Sequence, residues 1–223
     1  MLHTDYSFNP NSDNTRDTKK FGFGVNIMEN LFKSQQALQA ATFEWNEDTG
    51  TATGSPAKGT TRTTAVTDVN WKNSGVQGTA YTAAPITAGN NSFEKWQFGK
   101  FSGTWNQILN GLFAHTAGAF GTGVSLFGPN STTGDGDRPI YTTPAAATNN
   151  TACPFDMTSV IAIGSGKAVF FGLTGPEATG KAASINGPAT VYTNFLPTQL
   201  RTTGSAAAGD TATATLTLQY DEN

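Results

Sequence analysis

The chain has 223 residues, of which 36 are Thr, 28 Ala and 25 Gly, about 40% together. Only 13% are charged and the net charge is −3, so there is no basic surface of the kind nucleic acid requires and too little charge for a coiled coil. Fifteen Phe, five Tyr and four Trp supply a core, which excludes a disordered tail. In chain order, residues 1–20 are polar, rich in Asn, Asp and Thr, and read as an extended arm able to order against a neighbouring subunit. Residues 25–42 place Ile27, Met28, Leu31, Phe32 and Leu38 on one face at helical spacing and predict a first amphipathic helix. Phe43 and Trp45 then alternate with polar residues, as in a strand. Residues 49–65 are a low-complexity run of Thr, Gly and Ala with one Pro, and read as a loop.

From Val66 the chain reads as β-rich. Val66, Val69, Trp71 and Val76 stand among Gly and Asn, and 81–86 and 93–101 follow as strands; in the latter, Trp96, Phe98 and Lys100 alternate with Gln97, Gly99 and Phe101. Trp105, Ile108, Leu109, Leu112 and Phe113 fall at i, i+3, i+4, i+7 and i+8 and predict a second amphipathic helix. Thr104 with Gln107 supplies a capping box for it, Gly118 a stop, and His115 a cation near its end. Residues 118–150 are loop-rich, with short strands expected at 124–127 and 140–141. Residues 157–173 suggest two strands joined by a Gly164-Ser165-Gly166-Lys167 turn, and 190–196 another strand. The strictest pattern is the last: from 211 to 220, odd positions are Thr or Gln and even ones Ala, Leu or Tyr, which means a strand with one buried and one wet face.

These elements predict a mainly β fold, a β-sandwich or jelly-roll-like barrel with an extended N-terminal arm and two short amphipathic helices. The expected organisation is an arm and helix over 1–50 as the assembly element, a Thr/Gly-rich loop over 51–65, and a β body over 66–223.

Chemistry-bearing residues are sparse. The Gly-Ser-Gly-Lys turn has Ile161 and Ala168 where a phosphate loop requires Gly and a Ser or Thr. His3 and His115 with Cys153 lack metal-ligand spacing. Asp13, Thr15 and Asp17, and likewise Asp135 and Asp137, read as solvated turns rather than Ca²⁺ loops. A pair of glycosidase carboxylates has candidates only in Glu44 and Glu47 beside Trp45, or Glu94 beside Trp96. Cys153, before Pro154, reads as a small buried residue; it permits no intrachain disulfide. The expectation is a non-enzymatic protein with no catalytic, cofactor-binding or metal-ligating residue and no cofactor. The first ten residues lack a basic stretch followed by an apolar one, and the longest nearly apolar run is 160–163, so neither a cleaved leader nor a membrane segment is expected.

The polar arm, the Thr/Gly/Ala-rich loops, the low charge and the Ala208-Gly209-Asp210-Thr211 turn before a strand of alternating Thr together carry a resemblance. The chain resembles the capsid decoration, or cement, proteins and related small head and tail proteins of tailed bacteriophages. The resemblance is compositional and spans the whole chain. It implies a sandwich or jelly roll of about eight strands, an arm that reaches onto neighbours, and a homo-oligomer, often a trimer or hexamer. It also implies a place in the virion, with the chain itself and the major capsid protein as partners, and neither specific nucleic acid nor membrane among them. Two rival readings are a tail tube or tail-associated protein, and a carbohydrate- or receptor-binding module using Trp71, Trp96 or Trp105 as stacking platforms.

Overall fold

A computed structural model of the chain describes residues 40–67, 69–129, 139–147, 152–160, 169–170, 184–186, 190–207 and 214–222. The expected arm at 1–20, the first helix from 25 to 39 and the turn at 164–167 lie outside the described residues. Within them the chain is mainly β and entirely antiparallel. The strands are β1 (Ala40–Thr53), β2 (Lys58–Thr63), β3 (Lys95–Thr104), β4 (Gln107–Ala117), β5 (Val124–Gly128) and β6 (Phe155–Asp156). They continue with β7 (Val169–Phe170), β8 (Ser184–Asn186), β9 (Val191–Tyr192), β10 (Leu196–Thr202) and β11 (Thr215–Glu222). A seven-stranded sheet runs in the order β2-β1-β3-β10-β5-β6, with β9 also on β3; a four-stranded sheet runs β11-β4-β7, with β8 also on β4.

The two sheets share one core, an arrangement consistent with a β-sandwich. Side chains alternate across a strand, so Phe43, Trp45 and Phe101 point one way from the large sheet. They meet the small sheet there: Trp45 lies edge-on to Phe113 of β4 at 6.1 Å and Phe101 to Tyr220 of β11 at 4.7 Å. Trp105, Ile108, Leu126, Met157 and Leu196 fill the same layer. The opposite face of the large sheet is buried as well. Trp96 and Phe98 are fully buried there beneath Tyr141 and Phe195.

The second predicted helix is strand β4, and His115 sits inside that strand rather than at a helix end. The reason lies in its register. Thr215 and Leu216 of β11 pair with Ala117 and His115, while Gln219 and Asp221 pair with Leu112 and Leu109. At each place β4 carries one more residue than its partner, a bulge that reverses the side-chain phase. Ile108 and Phe113, which an unbroken strand would send to opposite faces, therefore both reach the main core. Such a phase change imitates the spacing of a helix. Of the first predicted helix, residues 40–42 open β1, and the only helical element among the described residues is a single 3-10 turn at Tyr81–Ala83.

Two further expectations change. Residues 51–65, read as a loop, hold the end of β1 and all of β2, joined through a turn at 54–57. Thr is a good strand residue, and the ladder with β1 supplies what the local composition lacks. Conversely, the β-rich reading of 66–86 gives way to irregular chain, and no strand forms at 140–141. The strands expected at 93–101 and 124–127 are present as β3 and β5, and the alternating run expected over 211–220 forms β11 from Thr215 onward. Of 190–196 only Val191–Tyr192 make a strand, β9, with 193–195 irregular before β10 starts at Leu196.

The β1–β2 hairpin depends on Gly59, where a Cβ would lie 2.5 Å from the carbonyl oxygen of Thr49 and 2.9 Å from the Tyr141 hydroxyl. Its N–H donates to Oδ2 of Asp48. Gly59→Ala is expected to destabilise the protein by about 1–3 kcal/mol through this overpacking, measured as a lower midpoint in urea denaturation.

Candidate functional site

Between the irregular chain at 66–67 and 69–88 and the sandwich lies a cleft of about 1120 Å³. Its floor comes from the large sheet: Trp45 of β1, Gln97 of β3 and Leu200 of β10. Phe113, Phe120, Trp71 and Tyr81 line it as well. The sequence brings these together only through topology, since β10 enters the sheet beside β3. Trp71 is held by two contacts. Its indole N–H donates to Oγ1 of Thr198 at 3.1 Å, and its ring meets Phe120 edge-on at 6.4 Å. Tyr81 is 45% exposed at the rim.

Beside the cleft floor is a buried polar network. Glu47 and Lys95 are each 1% exposed, with Nζ 3.2 Å from Oε1. The other carboxylate oxygen of Glu47 accepts from Nε2 of Gln97 at 3.1 Å. On the opposite face, Arg62 donates twice to Asp48, at 2.7 and 2.9 Å, and its guanidinium stacks 4.7 Å above the Phe98 ring. Tyr141 donates to the carbonyl of Gly50. Burial holds its phenol above the usual range, and the carboxylates of Asp48, Glu94 and Glu47 add to that.

The candidate carboxylates separate. Glu44 and Glu47 are three residues apart on one strand and so point to opposite faces; Glu44 lies 3.6 Å from Lys100, far from the pair of Glu47 and Lys95. Glu94 accepts from the indole N–H of Trp96 at 2.7 Å. His115 is fully buried, with Nδ1 3.1 Å from the Met157 carbonyl oxygen and Nε2 2.8 Å from that of Ala117. Cys153 is fully buried, and burial pushes its thiol well above the usual range, with Glu94 adding and Arg201 opposing. Among the described residues no three His, Cys, Asp or Glu side chains form a group able to hold a metal ion. No helix among them is long and apolar enough to cross a membrane. His3, Asp13, Thr15, Asp17, Asp135 and Asp137 lie outside the described residues.

Of the three tryptophans considered as platforms, Trp96 and Trp105 are buried and only Trp71 borders open space. Sequence reasoning missed Trp45, Gln97, Phe113 and Phe120 as neighbours. The one available signal was parity: Trp45 and Glu47 share a strand face, and a partner strand in register would bring Gln97 to it.

A second surface feature is the edge of the small sheet. Strand β11 pairs only with β4 among the described residues, and from 215 to 220 it has no charged residue and no Pro. The long edge of the other sheet, β2, instead carries Lys58 and Arg62.

Comparison with protein-family models, with curated proteins and with solved structures finds no match for this chain.

Proposed function

We propose that this chain is a non-enzymatic structural protein of a virus particle, a capsid decoration or cement protein that bridges neighbouring capsid subunits and stabilises the shell. The observation that supports this reading is the β11 edge. An unpaired edge is a template for a further strand, and proteins that must stay apart guard such edges with Lys, Pro or bulges on the exposed side. The β2 edge has its charges; the six positions 215–220 of β11 have none. An edge uncharged over six positions, with Asp221 and Glu222 only at its end, suits a protein whose work is lateral pairing with copies and neighbours. The carboxylates of the described residues are consistent with that role, since Glu44, Glu47, Asp48 and Glu94 each face a cation or an N–H.

The test is the absolute mass in solution by light scattering over a concentration series. A trimer or larger ring is expected, and Thr217→Lys with Gln219→Lys, which place two charges on the outer face of β11, are expected to shift it to monomer. A strict monomer at every concentration counts against self-assembly and favours a lone binding module. Growth into stacked rings or tubes redirects the reading to a tail protein.

A further inference from the structure

The cleft beneath the irregular segment has a chemistry of its own. Among the described residues lining it, no side chain is charged. An ion among these side chains would lose its hydration without gaining a counter-charge, which is costly, so this part of the lining favours a neutral ligand.

Its floor carries a fixed acceptor. Gln97 is 6% exposed. Its amide orientation is set by Glu47: a carboxylate only accepts, so the NH₂ group must face it, as the 3.1 Å bond records. Lys95 in turn pins Glu47. The Gln97 carbonyl is thereby turned away from Glu47, and no donor from the described residues reaches it. That oxygen opens on the cleft, where a ligand hydroxyl can donate to it.

The walls supply the other half. Trp71 is a flat aromatic face locked in orientation by Thr198 and Phe120, and the half-exposed Tyr81 stands across the rim. Rigid aromatic faces with a few placed polar groups are how clefts hold ligands that are apolar on one side and polar at the edge. A pyranose ring has that form: C–H groups on its face and hydroxyls around its edge. The volume of about 1120 Å³ exceeds the ~300–1000 Å³ of usual small-molecule sites, which leaves room for more than one ring.

We propose that this cleft binds a neutral oligosaccharide, with one sugar face stacked on Trp71 and a hydroxyl donated to Oε1 of Gln97. The site is independent of the structural role argued above, and its test does not involve oligomeric state. The labelled full chain is applied to an array of neutral and anionic glycans, and each binder is titrated by tryptophan emission. Binding restricted to neutral glycans is expected. Trp71→Ala and Gln97→Leu are each expected to weaken it by about tenfold or more. Thr82→Trp, at an exposed lining position remote from the buried network, is expected to abolish it while leaving the thermal unfolding midpoint unchanged. Three results overturn the proposal: no neutral glycan bound, binding only of anionic glycans, or a neutral binder held as tightly by Thr82→Trp as by the natural chain. Because Thr82 is exposed, a folding failure of Gln97→Leu does not spoil the test.

Discussion

Lys95→Met is expected to lower the unfolding free energy by about 3–5 kcal/mol. Its ammonium and the Glu47 carboxylate are both 1% exposed and 3.2 Å apart. Removing the cation leaves a buried carboxylate with the Gln97 amide as its remaining side-chain donor among the described residues, and in a low-dielectric interior one neutral donor does not replace a charge. The double variant Glu47→Leu with Lys95→Met removes both charges, and a buried pair replaced by apolar groups of similar volume is often neutral or stabilising. Urea denaturation of the two variants reads the contrast directly: a large loss for the single change and recovery in the double. Equal losses would mean that the pair matters for packing rather than charge. The double variant also releases the Gln97 amide from its orienting partner, so a stable fold with weakened glycan binding is expected of it.

Trp96→Ala is expected to cost about 3–5 kcal/mol, the range for deleting a large buried aromatic. Trp96 is fully buried on the face of the large sheet away from the sandwich core. It meets Phe195 edge-on at 5.4 Å and Tyr141 at 5.2 Å. The substitution empties the centre of that layer and also strips Glu94 of an N–H donor at 2.7 Å. Trp96→Phe separates the two effects, since it keeps much of the packing and loses the hydrogen bond. Its cost is expected to be clearly smaller than that of Trp96→Ala, again by denaturant midpoint. If both variants cost little, Tyr141 and Phe195 do not depend on Trp96 for their placement.

Legibility in the sequence followed the regularity of each strand. In β11 the alternation is unbroken, so its inward face could be read directly. In β3 it revealed the strand but not a face, since Trp96 and Phe98 on one side and Gln97 and Phe101 on the other are all buried. In β4 two extra residues reset the phase, and the apolar positions then matched a helix better than a strand. The β1–β2 hairpin was hidden for a different reason: Thr, Gly and Ala in 49–65 carry no apolar period, and what makes them strands is pairing with chain already held by β3. The cleft was illegible because its floor draws on residues 45, 97 and 200, which share no local pattern. Glu47 and Gln97 become neighbours only through a register between strands, and pairing register across so great a separation is not written in either segment alone.

The position of β10 has a consequence for how the molecule is made. It lies between β3 and β5 in the sheet, yet it follows both of them in the chain. Until residues 196–202 emerge, the large sheet exists as two fragments, β2-β1-β3 and β5-β6, each with an open edge where β10 will sit. Such edges are sticky, and pairings that must wait for distant chain are slow to form. During that interval a second copy can also offer the missing strand, the exchange that yields domain-swapped pairs. Rapid completion of synthesis, or a chaperone that covers the β3 edge, would decide between a correctly closed molecule and an intertwined pair.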